Sequence, residues 1–110
     1  MKSAEDIVNS YNNGCKKIEE RDFRNALGYF SEVLYTVGYV QEEVKIKAYL
    51  NRGIAYYCIG SPSSAIDDWR EVIKFASSYP EIKETARNLI ETVNQERREQ
   101  DINIEGELYE

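Results

Sequence analysis

Apolar residues recur at helical spacing over most of the chain, and one set of them occurs twice. Ala26, Leu27, Phe30, Val33, Leu34 and Val37 return 39 residues later as Ala65, Ile66, Trp69, Val72, Ile73 and Ala76. Twelve residues ahead of each leading alanine stands a glycine, Gly14 and Gly53. A helical pattern repeated at a fixed period signals stacked helix pairs, because no single pair can bury its apolar face alone.

The pattern predicts five helices. The first spans about Ala4 to Glu20, with Ser3 and Asp6 spaced as a capping box and a stripe of Ile7, Val8, Tyr11, Cys15 and Ile18. The second spans Asp22 to Gly38, with Asp22 as N-cap, Gly38 as terminator and apolar residues from Phe23 to Val37 on one face. The third runs from about Gln41 to Ile59 and is stopped by Gly60. The fourth opens on Ser61-Pro62, a cap followed by proline in the first turn, and continues to about Ser77. The fifth opens at Tyr79-Pro80 with Glu81 in its first turn. It carries Ala86, Leu89, Ile90 and Val93, then turns polar from Asn94 to Gln100, as expected of a helix that caps a stack. The linkers Arg21-Asp22 and Gly60-Ser61 are so short that the helices they join must be antiparallel neighbours. The expected class is all-α: two helical hairpins and a capping helix in a single domain over residues 1–100.

These residues resemble the tetratricopeptide repeat (TPR) family. Its pattern has bulky residues at repeat positions 4 and 11, a small residue at 8, alanine at 20, an aromatic at 24 and a small or apolar residue at 27. The second repeat, about residues 46–79, fits through Tyr49, Leu50, Gly53, Ala55, Tyr56, Gly60, Ala65, Trp69 and Val72. The first, about residues 7–40, fits through Gly14, Phe23, Ala26, Leu27, Phe30, Val33 and Leu34, but has Ser10 and Lys17 where bulky residues are expected. The family's usual period is about 34, so the surplus is placed between Gly38 and Ile46, in the turn or the third helix. The small residues Gly14, Ala26, Gly53 and Ala65 are expected to let paired helices approach, with Phe30 and Trp69 filling the space between hairpins.

The resemblance implies a right-handed superhelical stack whose first-of-pair helices line a concave groove. Carried over by position, groove residues are Tyr11, Asn12 and Cys15 on the first helix and Lys47, Leu50, Asn51, Ile54 and Tyr57 on the third. Arg87, Asn88 and Glu91 follow on the capping helix, with Val8, Ile18, Glu19, Cys58, Glu84, Asn94 and Gln95 alongside. Asn12, Asn51 and Asn88 share one repeat position. A carboxamide both donates to and accepts from a peptide backbone, so they read either as a ligand-holding ladder or as the family's habitual residue there. Some members grip a C-terminal carboxylate through a lysine and an asparagine of the first repeat. Here those places hold Tyr11 and Cys15, and the groove cations Lys47 and Arg87 sit in different units.

Composition narrows the chemistry. There is no histidine, which removes the commonest general base and metal ligand. Cys15 and Cys58 have no histidine partner and no zinc spacing, and they are too few for a disulfide framework. The pairs Glu19-Glu20, Glu42-Glu43 and Asp67-Asp68 read as solvated helix faces, and no phosphate loop is present. Neither catalysis, metal nor cofactor is expected. The net charge of −6 argues against a nucleic-acid partner, and Arg97-Arg98 is flanked by Glu96 and Glu99.

The longest apolar run, Ile54 to Ile59, is six residues, against roughly 18 for a membrane span. The chain begins with Met and reads as complete, without a secretory leader, and as cytoplasmic. Residues 101–110 hold four acids and no Lys or Arg, show no helical periodicity, and read as an acidic tail. Its apolar Ile102, Ile104, Leu108 and Tyr109 raise the alternative of docking in a groove near Lys47 and Arg87. The expected function is a non-catalytic adaptor or scaffold that binds a protein or peptide segment. The alternatives are a self-associating module, hence a homo-oligomer, or a regulatory subunit of a separate enzyme.

Overall fold

The computed structural model describes the backbone of residues 2–109 and the side chains of residues 2–101. The described chain is all-α, in the order α1 (Ala4–Glu19), α2 (Phe23–Leu34), α3 (Glu42–Cys58), α4 (Pro62–Phe75) and α5 (Pro80–Tyr109). Each helix packs on the next, and α1 also touches α3.

Two hairpins are built alike. In the first, a Cβ added at Gly14 would lie 2.6 Å from the Phe30 ring, and in the second a Cβ at Gly53 would lie 2.8 Å from Trp69 Cδ1. Glycine is required at both places because a large ring on one helix presses on the backbone of the other. The turns repeat as well. Between α1 and α2, Asp22 N–H donates to the Lys17 carbonyl (2.8 Å) and Arg21 N–H to that of Ile18 (3.0 Å). Between α3 and α4, Ser61 N–H donates to Tyr56 (2.9 Å) and Gly60 N–H to Tyr57 (3.0 Å). Both are helix-terminating turns of the Schellman type. Their central residue has positive φ, +60° at Arg21 and +85° at Gly60. Glycine meets that demand freely in the second turn, whereas Arg21 adopts it at a steric cost.

Two apolar clusters make the core. One joins Ile7, Ala26, Phe30 and Val33 to Ala48 and Ala55 of α3. The other joins Ile46 of α3 to Ala65, Trp69 and Val72 of α4 and to Ala86 and Val93 of α5. Phe30 and Trp69 therefore serve both their own hairpin and the next helix. The central helix α3 contributes to both clusters, which is why its apolar residues do not form one clean stripe.

Several boundaries differ from the sequence reading. Helix α2 stops at Leu34 rather than Gly38, and Val37, placed in its buried set, is 82% exposed. The seven residues 35–41 form an irregular link, with Gly38 at φ +116°, and this link takes up the extra length between the repeats. The Ser3–Asp6 capping box is present, with both hydrogen bonds made (3.1 and 3.2 Å). Asp22 and Ser61 occupy N-cap positions without capping through their side chains. The Asp22 carboxylate accepts instead from the Asn25 side chain (2.6 Å). Residues 101–109, read as aperiodic, continue the α5 helix to Tyr109.

Ser10, which departs from the repeat pattern, is buried and donates to the Glu32 carboxylate (3.0 Å), to which Lys2 also donates (3.1 Å). The Lys2 and Ser10 bonds hold the Glu32 carboxyl below its ordinary value of 4.5. A carboxyl lowered on folding adds stability above its unfolded value and loses it as pH falls through the folded one. The melting temperature of the wild type is therefore expected to drop more steeply on acidification below 4.5 than that of Glu32→Gln. The difference should be small, because the Lys2–Glu32 pair is solvent-exposed.

Candidate functional site

Direct hydrogen bonds tie α1 to α3 and α3 to α5. Asn51 of α3 donates through Nδ2 to the Tyr11 hydroxyl of α1 (3.2 Å). The Tyr57 hydroxyl of α3 donates to Glu96 of α5 (2.7 Å). On this α1/α3/α5 face, Tyr11 and Cys15 are half-buried against the first cluster, and Leu50 and Ile54 are half-buried against the second. Leu89 and Ile90 of α5 join the same cluster, so α5 covers part of the apolar strip. Tyr57 and Cys58 are exposed.

The three asparagines do not behave alike. Asn12 and Asn88 are exposed. Asn51 is half-buried and spends its amide donor inside the chain, on Tyr11 and on the Lys47 carbonyl (3.0 Å). Its carboxamide oxygen is the part left to meet a ligand, so at this position the face accepts a hydrogen bond rather than offering both senses. Burial and then the neighbouring Cys15 thiol raise the Tyr11 phenol above its ordinary range, which keeps it protonated.

The expected cations are already engaged. Lys47 pairs with Glu43 one turn away (2.8 Å), and Arg87 lies 3.8 Å from Glu84. Glu91 accepts from Arg98 (3.1 Å). Tyr11 and Asn51 are thus brought together directly, with Lys47 joined through its carbonyl. Among the described residues no hydrogen bond joins Arg87, Asn88 or Glu91 to α1 or α3. The side chains of Ile102, Ile104, Leu108 and Tyr109, invoked for tail docking, lie outside the described residues.

A buried ion pair lies outside the expected groove residues. Asp68, read as part of a solvated acidic pair, is 5% exposed and binds Arg52, itself 7% exposed, through two hydrogen bonds of 2.8 Å. Arg52 also donates to Ser31 of α2 and to Tyr35 just past its end (3.2 Å each). Its guanidinium lies over the rings of Tyr35, Tyr49 and Tyr56 at 5.6–5.7 Å. Burial opposes the Arg52 charge, but the bonds to Asp68 and Tyr35 outweigh it and raise its pKa further. The group links α2, α3 and α4 from inside. A signal existed: Arg52 immediately precedes Gly53 and Asp68 immediately precedes Trp69, so the glycine–aromatic contact carries both together. The equivalent places in the first repeat hold Asn13 and Tyr29 and give no such pair.

The chain matches no family model, no curated protein and no solved structure. Among the described residues, no helix is long and apolar enough to cross a membrane.

Proposed function

We propose that this chain is a two-repeat module of the tetratricopeptide type, a right-handed superhelical stack with a C-terminal capping helix, and that it binds an extended protein segment on its α1/α3/α5 face. The observation that carries the reading is the recurrence, at the 39-residue spacing, of one hairpin design. Gly14 under Phe30 and Gly53 under Trp69 share the same close contact, and both hairpins turn through the same hydrogen-bonded motif. One hydrogen bond from Asn51 to Tyr11 joins α3 to α1, and one from Tyr57 to Glu96 joins α3 to α5. The face they form offers half-buried apolar side chains (Tyr11, Leu50, Ile54), an open carboxamide oxygen at Asn51 and exposed carboxamides at Asn12 and Asn88.

Such a face suits a peptide whose apolar side chains settle on the strip while its backbone meets the asparagines. Because Lys47 and Arg87 already have carboxylate neighbours, the reading favours an apolar segment over an acidic tail. The module performs no chemistry of its own and serves as an adaptor.

The test is selection from a displayed peptide library on the immobilised full chain, repeated with the Asn12→Ala/Asn88→Ala variant. Both residues are exposed, so the fold is expected to survive. Apolar peptides retained by the wild type and weakened on the variant support the reading. Recovery of no binder, or of binders that ignore the variant and Tyr57→Ala alike, removes it.

A further inference from the structure

Along the seam between α3 and α5 the cations have partners. Lys47 lies 2.8 Å from Glu43, Arg87 lies 3.8 Å from Glu84 and Arg98 lies 3.1 Å from Glu91. Two exposed carboxylates on the same seam, Glu81 and Glu96, pair with no cation among the described residues. Glu81 lines a cleft of about 510 Å³ with Glu43 and Lys47. It has a reason of its own, since a carboxylate in the first turn of a helix suits the dipole. Glu96 lies well inside α5, where that reason does not hold. Its neighbours in sequence turn elsewhere: Arg98 to Glu91 (3.1 Å) and Arg97 to Ser63 of α4 (3.4 Å).

Glu96 accepts from the Tyr57 hydroxyl (2.7 Å), and the Tyr57 side of this pair is 40% exposed. Both residues line a hollow of about 360 Å³, together with Val93, Pro62 and Arg97. An open aromatic face beside a carboxylate is the surrounding that a guanidinium or ammonium group prefers. The interior of the same molecule shows that arrangement complete. Arg52 lies over the rings of Tyr35, Tyr49 and Tyr56 at 5.6–5.7 Å and bonds Asp68. On the outer seam the hydrogen bond holds a ring and a carboxylate together in the same way. Charge therefore selects a basic occupant: the cations that would attract an acidic one are engaged, and Glu96 keeps its charge.

We propose that the segment bound on the α1/α3/α5 face is basic, with a lysine or arginine that lays its stem over the Tyr57 ring and its charge on Glu96. The apolar residues beside it settle on Ile54 and Leu50, about one and two turns back along α3. The inference rests on the reading of that face as a binding surface and adds the charge of what binds there.

Displayed libraries of short peptides test it. Each has a randomised apolar centre and carries arginine, glutamine or glutamate fixed at both ends, so that either direction of binding presents one. They are panned on the immobilised full chain, and recovered sequences are compared by fluorescence anisotropy. Arginine-ended peptides are expected to bind about tenfold tighter than their glutamine-ended counterparts at low salt. The preference should shrink in about 1 M salt. Glu96→Gln should remove most of it while the helical circular dichroism stays as in the wild type, because Glu96 is exposed. Equal affinity for arginine and glutamine ends, or a preference for glutamate, overturns the inference and leaves the apolar-segment reading standing. A preference for arginine that survives Glu96→Gln overturns it too, because another carboxylate would then be responsible. Libraries that yield no binder remove the reading and the inference together.

Discussion

Replacing Asp68 with alanine is expected to destabilise the fold by about 3–5 kcal/mol, as for other buried pairs that lose one partner. The reason is the charge left behind. Arg52 is buried, cannot be neutralised at accessible pH, and depends on Asp68 for two of its four hydrogen bonds. The three tyrosine rings around the guanidinium soften the loss without replacing a carboxylate. Against a total stability of about 5–15 kcal/mol for a domain, the variant sits near the limit of folding. Arg52→Met/Asp68→Leu removes both charges and refills the volume, and should recover most of what either single alanine substitution loses. Urea unfolding of the four proteins measures this. If the double substitution is worse than Asp68→Ala, the pair contributes net stability that an apolar pair cannot match, and the explanation through an orphaned charge is wrong.

Trp69→Ala is expected to cost about 3–5 kcal/mol, the range for removing a large buried aromatic. Trp69 is fully buried, belongs to the cluster that joins α3, α4 and α5, and donates from its indole nitrogen to the Leu50 carbonyl (3.2 Å). The informative partner is Gly53. Alanine at an exposed helical position would gain about 1 kcal/mol over glycine. At Gly53 it should lose about 1–3 kcal/mol, because its Cβ would press on the indole and the packed core cannot yield. In a Trp69→Leu background the ring is gone, and Gly53→Ala should become much less harmful. A double-mutant cycle is expected to show coupling of at least about 1 kcal/mol. Additive effects would mean that the glycine is not there to admit the ring.

The elements legible in the sequence were those fixed by period. The recurrence of Gly14 and Phe30 as Gly53 and Trp69 is legible in the sequence, which places the two rings between hairpins; that each ring also presses on the glycine of its own hairpin depends on how the helices pack. The five helices followed from apolar spacing and from stops such as Gly60. What escaped depended on geometry between distant residues. Asp68 looks like any surface acid until Arg52, 16 residues earlier, is placed beside it across the hairpin. Val37 continues the apolar spacing of α2, but the helix has ended three residues before it and the chain turns outward. Asn51 carries the pattern of a ligand-facing carboxamide, yet Tyr11 on another helix takes its donor. Gly28 resembles Gly14 and Gly53 in sequence, and only its open surroundings set it apart from them.

Backbone amide chemical-shift mapping with a library-selected peptide locates the proposed binding face. Saturable shifts are expected to concentrate on α1, α3 and α5, at Tyr11, Asn12, Leu50, Asn51, Ile54, Tyr57 and Asn88, with α2 and α4 little changed. Shifts confined to α2 and α4, or a spectrum unmoved by any selected peptide, would contradict it.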